Sequence, residues 1–201
     1  MVLGNSHEAL TYKLGATLRE ETAACMLGGH GITAEMCLAA YDRLRERGML
    51  SKNGVTEEEL AAVLKEKLSY EGRTFFYRFP NKKAEYLAPV LNALICETPP
   101  LRCHYAFRNW FLQFAGIGLK TASWITRNWL NSANVAILVI HVVRAGRFCG
   151  LFRDGQDPTR HYSQMEAIFL DFAHCIRVDA AKLDVLMWQQ MRTARSMNFQ
   201  Y

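Results

Sequence analysis

Apolar residues recur at three- and four-residue steps over most of the chain, which is the periodicity of amphipathic α-helices. Capping residues and glycine or proline breaks divide the pattern into segments. The predicted helices cover 8–27, 33–48, 56–70, 81–97, 105–113, 119–131, a segment reaching about 146, 164–177 and 180–195. Strand-like alternation is limited to the short run RTFFYRF (73–79). The pattern therefore predicts an all-α fold.

Several helix boundaries have residue-level signals. Thr56 and Glu59 have the spacing of a capping box, in which each side chain satisfies a backbone N–H of the first turn. Thr33, Ser163 and Asp179 are predicted N-caps, because their short polar side chains can accept a hydrogen bond from the first turn.

Length and composition indicate a globular chain. Its 201 residues predict one domain over 1–201, and 50% hydrophobic residues exclude a disordered class. The net charge of +5 favours anionic partners mildly, although a soluble basic protein without such a partner fits it equally well.

Membrane and targeting signals are not found in the sequence. No run approaches the roughly 18 apolar residues of a membrane span. The N-terminal residues lack the basic and then apolar layout of a signal peptide. The expected location is therefore the cytoplasm.

The cysteines show no metal-ligand spacing. No C-x-x-C occurs among them, which argues against zinc and four-cysteine iron–sulfur sites. We expect reduced, mostly buried thiols and no cofactor. The six are Cys25, Cys37, Cys96, Cys103, Cys149 and Cys175.

Two glycines interrupt the helical pattern in FAGIGLKTASWI (114–125). Gly116 and Gly118 allow positive φ and leave no Cβ in the way of a ligand. The helix that follows presents free N–H groups and the positive end of its dipole, which suit a phosphate. Most G-x-G pairs, however, only end a helix.

Lys120 falls in the first turn of that following helix, where the helix dipole opposes a cation. A solvated lysine would cost a few tenths of a kcal/mol there. Alternatively, the amine is held where a lowered pKa makes it a nucleophile. Physical chemistry alone leaves both interpretations open.

FAGIGLKTASWI followed by VAILVIHVVRAG (135–146) resembles the helix–hairpin–helix and glycine-rich loop signature of the HhH-GPD DNA glycosylase superfamily. Together with YRFPNKKAEYL (77–87), these segments are most similar in sequence to the 8-oxoguanine DNA glycosylase/AP lyase branch. The resemblance covers about 73–146 and is weaker over the last two helices.

The resemblance implies two helical lobes flanking a DNA- and base-binding cleft. The hairpin motif would cover about 105–131, and the loop and helix of the glycine/His-Val segment about 132–147. The expected partner is double-stranded DNA with a modified guanine or an abasic site, bound by a monomer in base excision repair.

The resemblance also implies residue roles. Lys120 would attack the anomeric carbon, expel the base and form a Schiff base that permits β-elimination. The backbone of Gly116, Ile117 and Gly118 would grip a phosphate. An alkali cation at this backbone is the only metal that the resemblance implies.

A flipped-out base would lie in a pocket, for which Trp124, Trp188 and Gln189 are candidates. Each tryptophan could instead serve core packing. His141 matches the histidine of the family, and Arg144 can share its helical face as a phosphate contact. The alternatives are a core or capping histidine and an ordinary solvated basic face.

Val139 departs from the family pattern, which has an aspartate two residues before the histidine. Loss of this carboxylate should cost several kcal/mol of transition-state stabilisation. We therefore expect impaired base excision, with the lyase reaction on abasic DNA outlasting it.

Three explanations of Val139 stay open. The sequence could be an engineered inactive variant. A different acid could reach the site, for which the candidates are Asp154, Asp157, Asp171 and Asp184. The chain could instead be a non-excising reader of modified guanine or a homologue of altered activity, as in bacterial antiviral defence operons.

Overall fold

The computed structural model describes residues 13–29 and 31–196, and this part of the chain is mainly helical. The helices are α1 Leu18–Leu27, α2 Ala34–Glu46, α3 Glu57–Leu64, α4 Pro80–Cys96, α5 His104–Phe111, α6 Leu119–Leu130, α7 Ile140–Phe148, α8 Pro158–Cys175 and α9 Ala180–Ser196. The strands β1 (Lys67–Tyr70) and β2 (Arg73–Phe76) form one antiparallel pair. The prediction of an all-α fold is confirmed.

The small sheet corrects one helix prediction. The helix predicted over 56–70 ends at Leu64, and the chain then continues into β1. Glu71 and Gly72 join β1 to β2, and both have positive φ, as a tight two-residue hairpin requires. The strand predicted over 73–79 is confirmed only as far as Phe76.

Helix starts follow the capping side chains. Thr33, Thr56 and Asp179 accept backbone hydrogen bonds from the first turns of α2, α3 and α9, as predicted. The start predicted for α8 after Ser163 is wrong, because Asp157 caps this helix with Pro158 in its first turn. The backbone kinks within α8 at His161.

The first helix is shorter than predicted. It begins at Leu18, where Thr17 and Glu20 form a capping box. Residues 13–17 are therefore not helical, and the predicted helical residues 8–12 lie outside the described part of the chain.

Two hydrophobic cores underlie two helical lobes. The first core is built from α1 to α6 and β1, and Leu27, Leu44 and Phe107 are among its fully buried side chains. The second is built from α7 to α9 and the loops beside them, around Met165 and Phe169. These two clusters match the predicted lobes.

Two buried ion pairs join the lobes. Arg127 of α6 donates to Asp184 of α9 at 2.6 Å, and Arg108 of α5 donates to Glu166 of α8 at 2.6 Å. Glu166 also accepts the backbone N–H of Ala136 at 3.0 Å. This last bond fixes the loop that leads into α7.

None of the six cysteines forms a disulfide, but the prediction that most are buried is wrong. Cys25 and Cys37 are buried in the first core, whereas the other four are exposed near helix ends. No helix in the described ranges is long and apolar enough to cross a membrane.

Candidate functional site

The turn between α5 and α6 is shaped by glycine. Gly116 has φ +81°, and a Cβ there would overlap the ring of Tyr86, so conformation and space both demand glycine. Ile117 is only 5% exposed and anchors the turn in the first core. Its N–H donates to the carbonyl of Phe114 at 3.2 Å.

Gly118 has a different role in the same turn. Its φ of −95° and ψ of 178° are available to any residue, so conformation does not explain the glycine. A Cβ at Gly118 would meet nothing within 4 Å, and no side chain caps α6. The backbone here is therefore accessible, and the N-terminal N–H groups of α6 can receive an acceptor from a ligand.

Lys120 lies in the first turn of α6 and is half-buried. Burial lowers the pKa of its amine, and no opposite charge or side-chain hydrogen bond among the described residues counteracts this shift. The prediction of a lowered pKa agrees with this environment. A lysine with a lowered pKa has a larger fraction of its amine in the neutral, nucleophilic form at neutral pH.

A cavity of about 840 Å³ opens beside Lys120. One wall is the start of α6 with Gly118, and a second wall is the start of α7 with Ile140. The third wall is the start of α8, residues 157–164. The cavity therefore lies where three helix N-termini meet.

Val139 is the N-cap of α7, with φ −75° and ψ 161°. It is partly buried against the second core, and no side chain caps this helix. Tyr162 holds the preceding loop by donating to the carbonyl of Ala136 at 2.7 Å. The position is one at which an aspartate would accept N–H groups of the first turn.

The four candidate replacement acids lie in different places. Asp184 is buried and paired with Arg127, and Asp171 lines a separate cleft of about 490 Å³. Asp154 lines neither cavity, whereas Asp157 lines the cavity of Lys120. Hydrogen bonds from Thr159 lower the pKa of Asp157, so this exposed N-cap is a carboxylate.

The predicted residues of α7 are only partly brought to this cavity. His141 is half-buried and Arg144 is exposed, and neither lines the cavity. Arg147, one turn after Arg144, does line it. Arg160 and His161 of α8 also line it and were not predicted as site residues, because the sequence places them in a turn-rich segment.

The candidate base-pocket residues lie farther along α6 and on α9. The Trp124 ring packs on the α1–α2 turn, where a Cβ at Gly28 would be 3.4 Å from Cζ3 of the ring. Trp188 is half-buried and Gln189 is exposed on α9. None of the three lines the cavity at the start of α6.

Lys83 is a further residue that sequence reasoning did not single out. It lies in the first turns of α4, is half-buried, and donates to the carbonyl of Gly28 at 2.7 Å and to that of Met26. Burial is the main cause that lowers its pKa, and the charge of Lys120 lowers it further. The only sequence signal was its place in the YRFPNKKAEYL segment.

Among the described residues, no group of histidine, cysteine and acidic side chains could hold a metal ion. The alkali cation expected at the hairpin would bind main-chain oxygens instead of such side chains. That site stays a prediction.

The all-α fold, the glycine-containing hairpin and the lysine that follows it define a helix–hairpin–helix protein of the glycosylase type. A family model described as 8-oxoguanine DNA glycosylase matches residues 9–178. The chain therefore belongs to the 8-oxoguanine DNA glycosylase family. Among curated proteins, none matches this sequence significantly.

Solved structures share the fold. The 8-oxoguanine DNA glycosylase of Thermotoga maritima is 26% identical with a TM-score of 0.59, over 85% of this chain and 77% of that one. The 8-oxoguanine glycosylase/lyase of Methanocaldococcus jannaschii, in complex with a 15mer DNA containing 8-oxoguanine, is 23% identical with a TM-score of 0.66. That match covers 85% of this chain and 78% of the relative.

Proposed function

We propose that this protein acts on double-stranded DNA that carries a modified guanine or an abasic site, and that Lys120 is its Schiff-base nucleophile. The observation that carries the proposal is the half-buried Lys120 amine, whose pKa is lowered, at the edge of a large cavity. Membership of the 8-oxoguanine DNA glycosylase family supports the substrate class.

The proposed lyase reaction starts from the aldehyde form of an abasic sugar. The neutral amine of Lys120 adds to C1′, and loss of water leaves an imine that is protonated to an iminium ion. Removal of a C2′ proton then breaks the C3′–O bond, and the 3′ phosphate leaves with the electron pair. Hydrolysis of the imine returns the free lysine.

Base excision makes a greater demand on this site. Expelling an intact base develops positive charge on the sugar, which a carboxylate at position 139 would stabilise. Val139 offers no charge, and the loss should amount to several kcal/mol, or orders of magnitude in rate. We therefore assign the chain a stronger lyase activity than glycosylase activity.

DNA would be held by its phosphates at the accessible start of α6. The N–H groups after Gly118 supply donors without a competing side-chain cap. Arg147 and Arg160 place positive charge on two other walls of the same cavity. Arg144 is exposed on α7 and is available for a more distant phosphate.

The first test compares duplexes that contain 8-oxoguanine or an abasic site, with and without borohydride. We expect the wild type to give a covalent adduct on abasic DNA and little release of 8-oxoguanine. Lys120→Ala should remove the adduct. Val139→Asp should raise base release by orders of magnitude, because it restores the carboxylate.

Val139→Asn is the matched control, since asparagine also caps a helix but carries no charge. Base release should stay low in this variant. Failure of wild type and Val139→Asp to form any adduct that depends on Lys120 would contradict the proposal.

The uncharged residue at position 139 also supports a second candidate, a non-excising reader of modified guanine. A reader would bind the 8-oxoguanine duplex more tightly than a matched guanine duplex and form no adduct even as Val139→Asp. Binding and trapping measured on the same duplexes therefore separate the two candidates.

A further inference from the structure

Two side chains of α8 hold one residue of the loop that leads into α7. Ala136 donates its N–H to Glu166 at 3.0 Å, and its carbonyl accepts from the Tyr162 hydroxyl at 2.7 Å. Tyr162 and Glu166 are four residues apart on α8, so both side chains extend from one face of that helix. Both backbone polar groups of Ala136 are therefore bonded to the same helix.

The Tyr162 hydroxyl makes a second bond to this loop. Leu138 donates its N–H to the phenol oxygen at 3.5 Å. A phenol can donate and accept at once, and burial raises the pKa of Tyr162, so its proton stays available for donation. Ser123 of α6 is close enough to influence the same pKa. The hydroxyl therefore lies where α8, α6 and the loop before α7 meet.

Glu166 is held in turn from the first lobe. Arg108 of α5 donates to its carboxylate at 2.6 Å, and the two side chains are only 9% and 6% exposed. A buried carboxylate that is paired in this way has no cheaper arrangement within reach, so it keeps its position. The acceptor of the Ala136 N–H is therefore fixed by contacts from both lobes.

The loop held by Tyr162 ends at position 139 and at the cavity of Lys120. Leu138 and Tyr162 both line that cavity, and Val139 follows directly as the N-cap of α7. The N–H of Val139 donates to the carbonyl of Ile137 at 2.8 Å, which makes the approach to the helix a tight turn. Since no side chain caps α7, the bonds from α8 locate its first residue.

We propose that Tyr162 is a positioning residue for position 139 and the start of α7. Its hydroxyl fixes residues 136–138 and so determines where residue 139 stands relative to a sugar bound in the cavity. The inference rests on the proposed function and deepens it, because a carboxylate at position 139 can stabilise charge on the sugar only from a defined place.

The expected effect follows from burial and geometry. Ala136 and Leu138 are 2% and 3% exposed, so water cannot replace the phenol unless the loop moves. A displacement of about 1 Å in an active site can cost up to about a hundredfold in rate. Lys120 lies on α6, outside this loop, so its reaction with an abasic sugar should be less sensitive to the loss.

The test compares Val139→Asp with the double variant Val139→Asp/Tyr162→Phe in single-turnover reactions at saturating DNA. Phenylalanine retains the ring and removes only the hydroxyl. We expect release of 8-oxoguanine to be about tenfold slower in the double variant, because the carboxylate is displaced. Formation of the borohydride-trapped adduct on an abasic duplex should stay within about twofold, because it depends on Lys120.

Tyr41→Phe in the same Val139→Asp background is the matched control. Tyr41 is also a buried tyrosine, 4% exposed, and its hydroxyl donates to the carbonyl of Leu14 at 3.4 Å. It belongs to the first core and does not line the cavity of Lys120. Its loss should leave the ratio of base release to adduct formation unchanged.

Amide hydrogen exchange gives a second readout that needs no catalysis. In Tyr162→Phe with Val139 retained, the amides of Leu138 and Val139 should exchange at least about tenfold faster than in the wild type. The amide of Phe169, which lies deep in the second core on the same helix, should be unaffected.

Equal losses of base release and adduct would overturn the inference, because Tyr162 would then only stabilise the fold. Unchanged base release in the double variant, or unchanged exchange at both amides, would overturn it too. Failure of the proposed function has a different signature, namely no adduct dependent on Lys120 in the wild type. If Val139→Asp releases no base, the exchange measurement alone decides whether Tyr162 positions the loop.

Discussion

In the proposed function, position 139 has two roles, because the residue that stands where the family pattern has an aspartate is also the N-cap of α7. Its φ and ψ of −75° and 161° are those of a normal N-cap, so a capping side chain could be placed without moving the backbone. The proposal therefore gives substitutions at this residue two separate readouts, the chemistry of the cleft and the stability of α7.

Val139→Asp should stabilise the fold by about 1 kcal/mol, since valine is among the poorest N-caps and aspartate among the best. Partial burial of the side chain against the second core works against this gain. Urea unfolding at neutral pH measures the free energy of unfolding.

Val139→Asn should give a similar gain in stability, and Val139→Ala should give none. A loss of stability in both the aspartate and asparagine variants would show that the packing of valine outweighs capping. The asparagine variant also separates the two roles, because it can stabilise α7 without promoting base release.

At the scale of an element, the hairpin contains two glycines that the sequence cannot tell apart. Gly116 is required by its positive φ and by the ring of Tyr86, whereas Gly118 has ordinary dihedral angles and open space around it. The first glycine serves the fold, and the second leaves room beside the backbone.

Gly116→Ala should therefore destabilise the protein by more than about 1 kcal/mol, since alanine is strained at positive φ and would overlap Tyr86. Gly118→Ala should change stability little but weaken binding to abasic DNA, because its methyl group covers the backbone donors. Thermal unfolding and fluorescence anisotropy measure the two effects. Equal losses of stability in both variants would contradict this division.

The elements themselves were predicted well where local signals act alone. Thr33, Thr56 and Asp179 were identified as N-caps because capping depends on residues two or three positions away. The prediction that the helix continues through 65–70 is wrong, because pairing with β2 and burial of Leu68 favour a strand there. The prediction of Ser163 as an N-cap is wrong, because α8 begins earlier, at Pro158 with Asp157 as its N-cap.

The site was predicted less completely than the fold, for a physical reason. Lys120 and the hairpin glycines are close in sequence, so one motif reveals them. Lys83 became visible only through its contacts with Met26 and Gly28, which are more than fifty residues earlier in the chain. Charge environments of this kind depend on tertiary contacts, which periodicity does not report.

At the scale of the molecule, two hydrophobic cores are joined by buried ion pairs. Burial raises the pKa of Asp184 to about 6, although Arg127 at 2.6 Å favours its carboxylate. The ordinary value of this pKa is 3.8, so the folded state holds a proton between about pH 4 and pH 6 that the unfolded state has lost. Raising the pH through this window therefore removes stability.

We expect this group to cost the wild type roughly 2–3 kcal/mol between pH 4 and pH 6.5, relative to Asp184→Asn, which cannot titrate. Unfolding of both proteins by urea at several pH values measures the difference, in which the other titrating groups cancel. Parallel pH profiles for the two proteins would contradict the raised pKa.

The uncapped starts of α6 and α7 also affect how the molecule opens. Most other helices in the described part of the chain begin at a side chain that accepts their first amides, but these two begin at the cavity without one. Their terminal amides exchange hydrogen with water without unfolding of either core. A bound polyanion that accepts those amides would slow that exchange, so local rigidity in this cleft depends on its ligand.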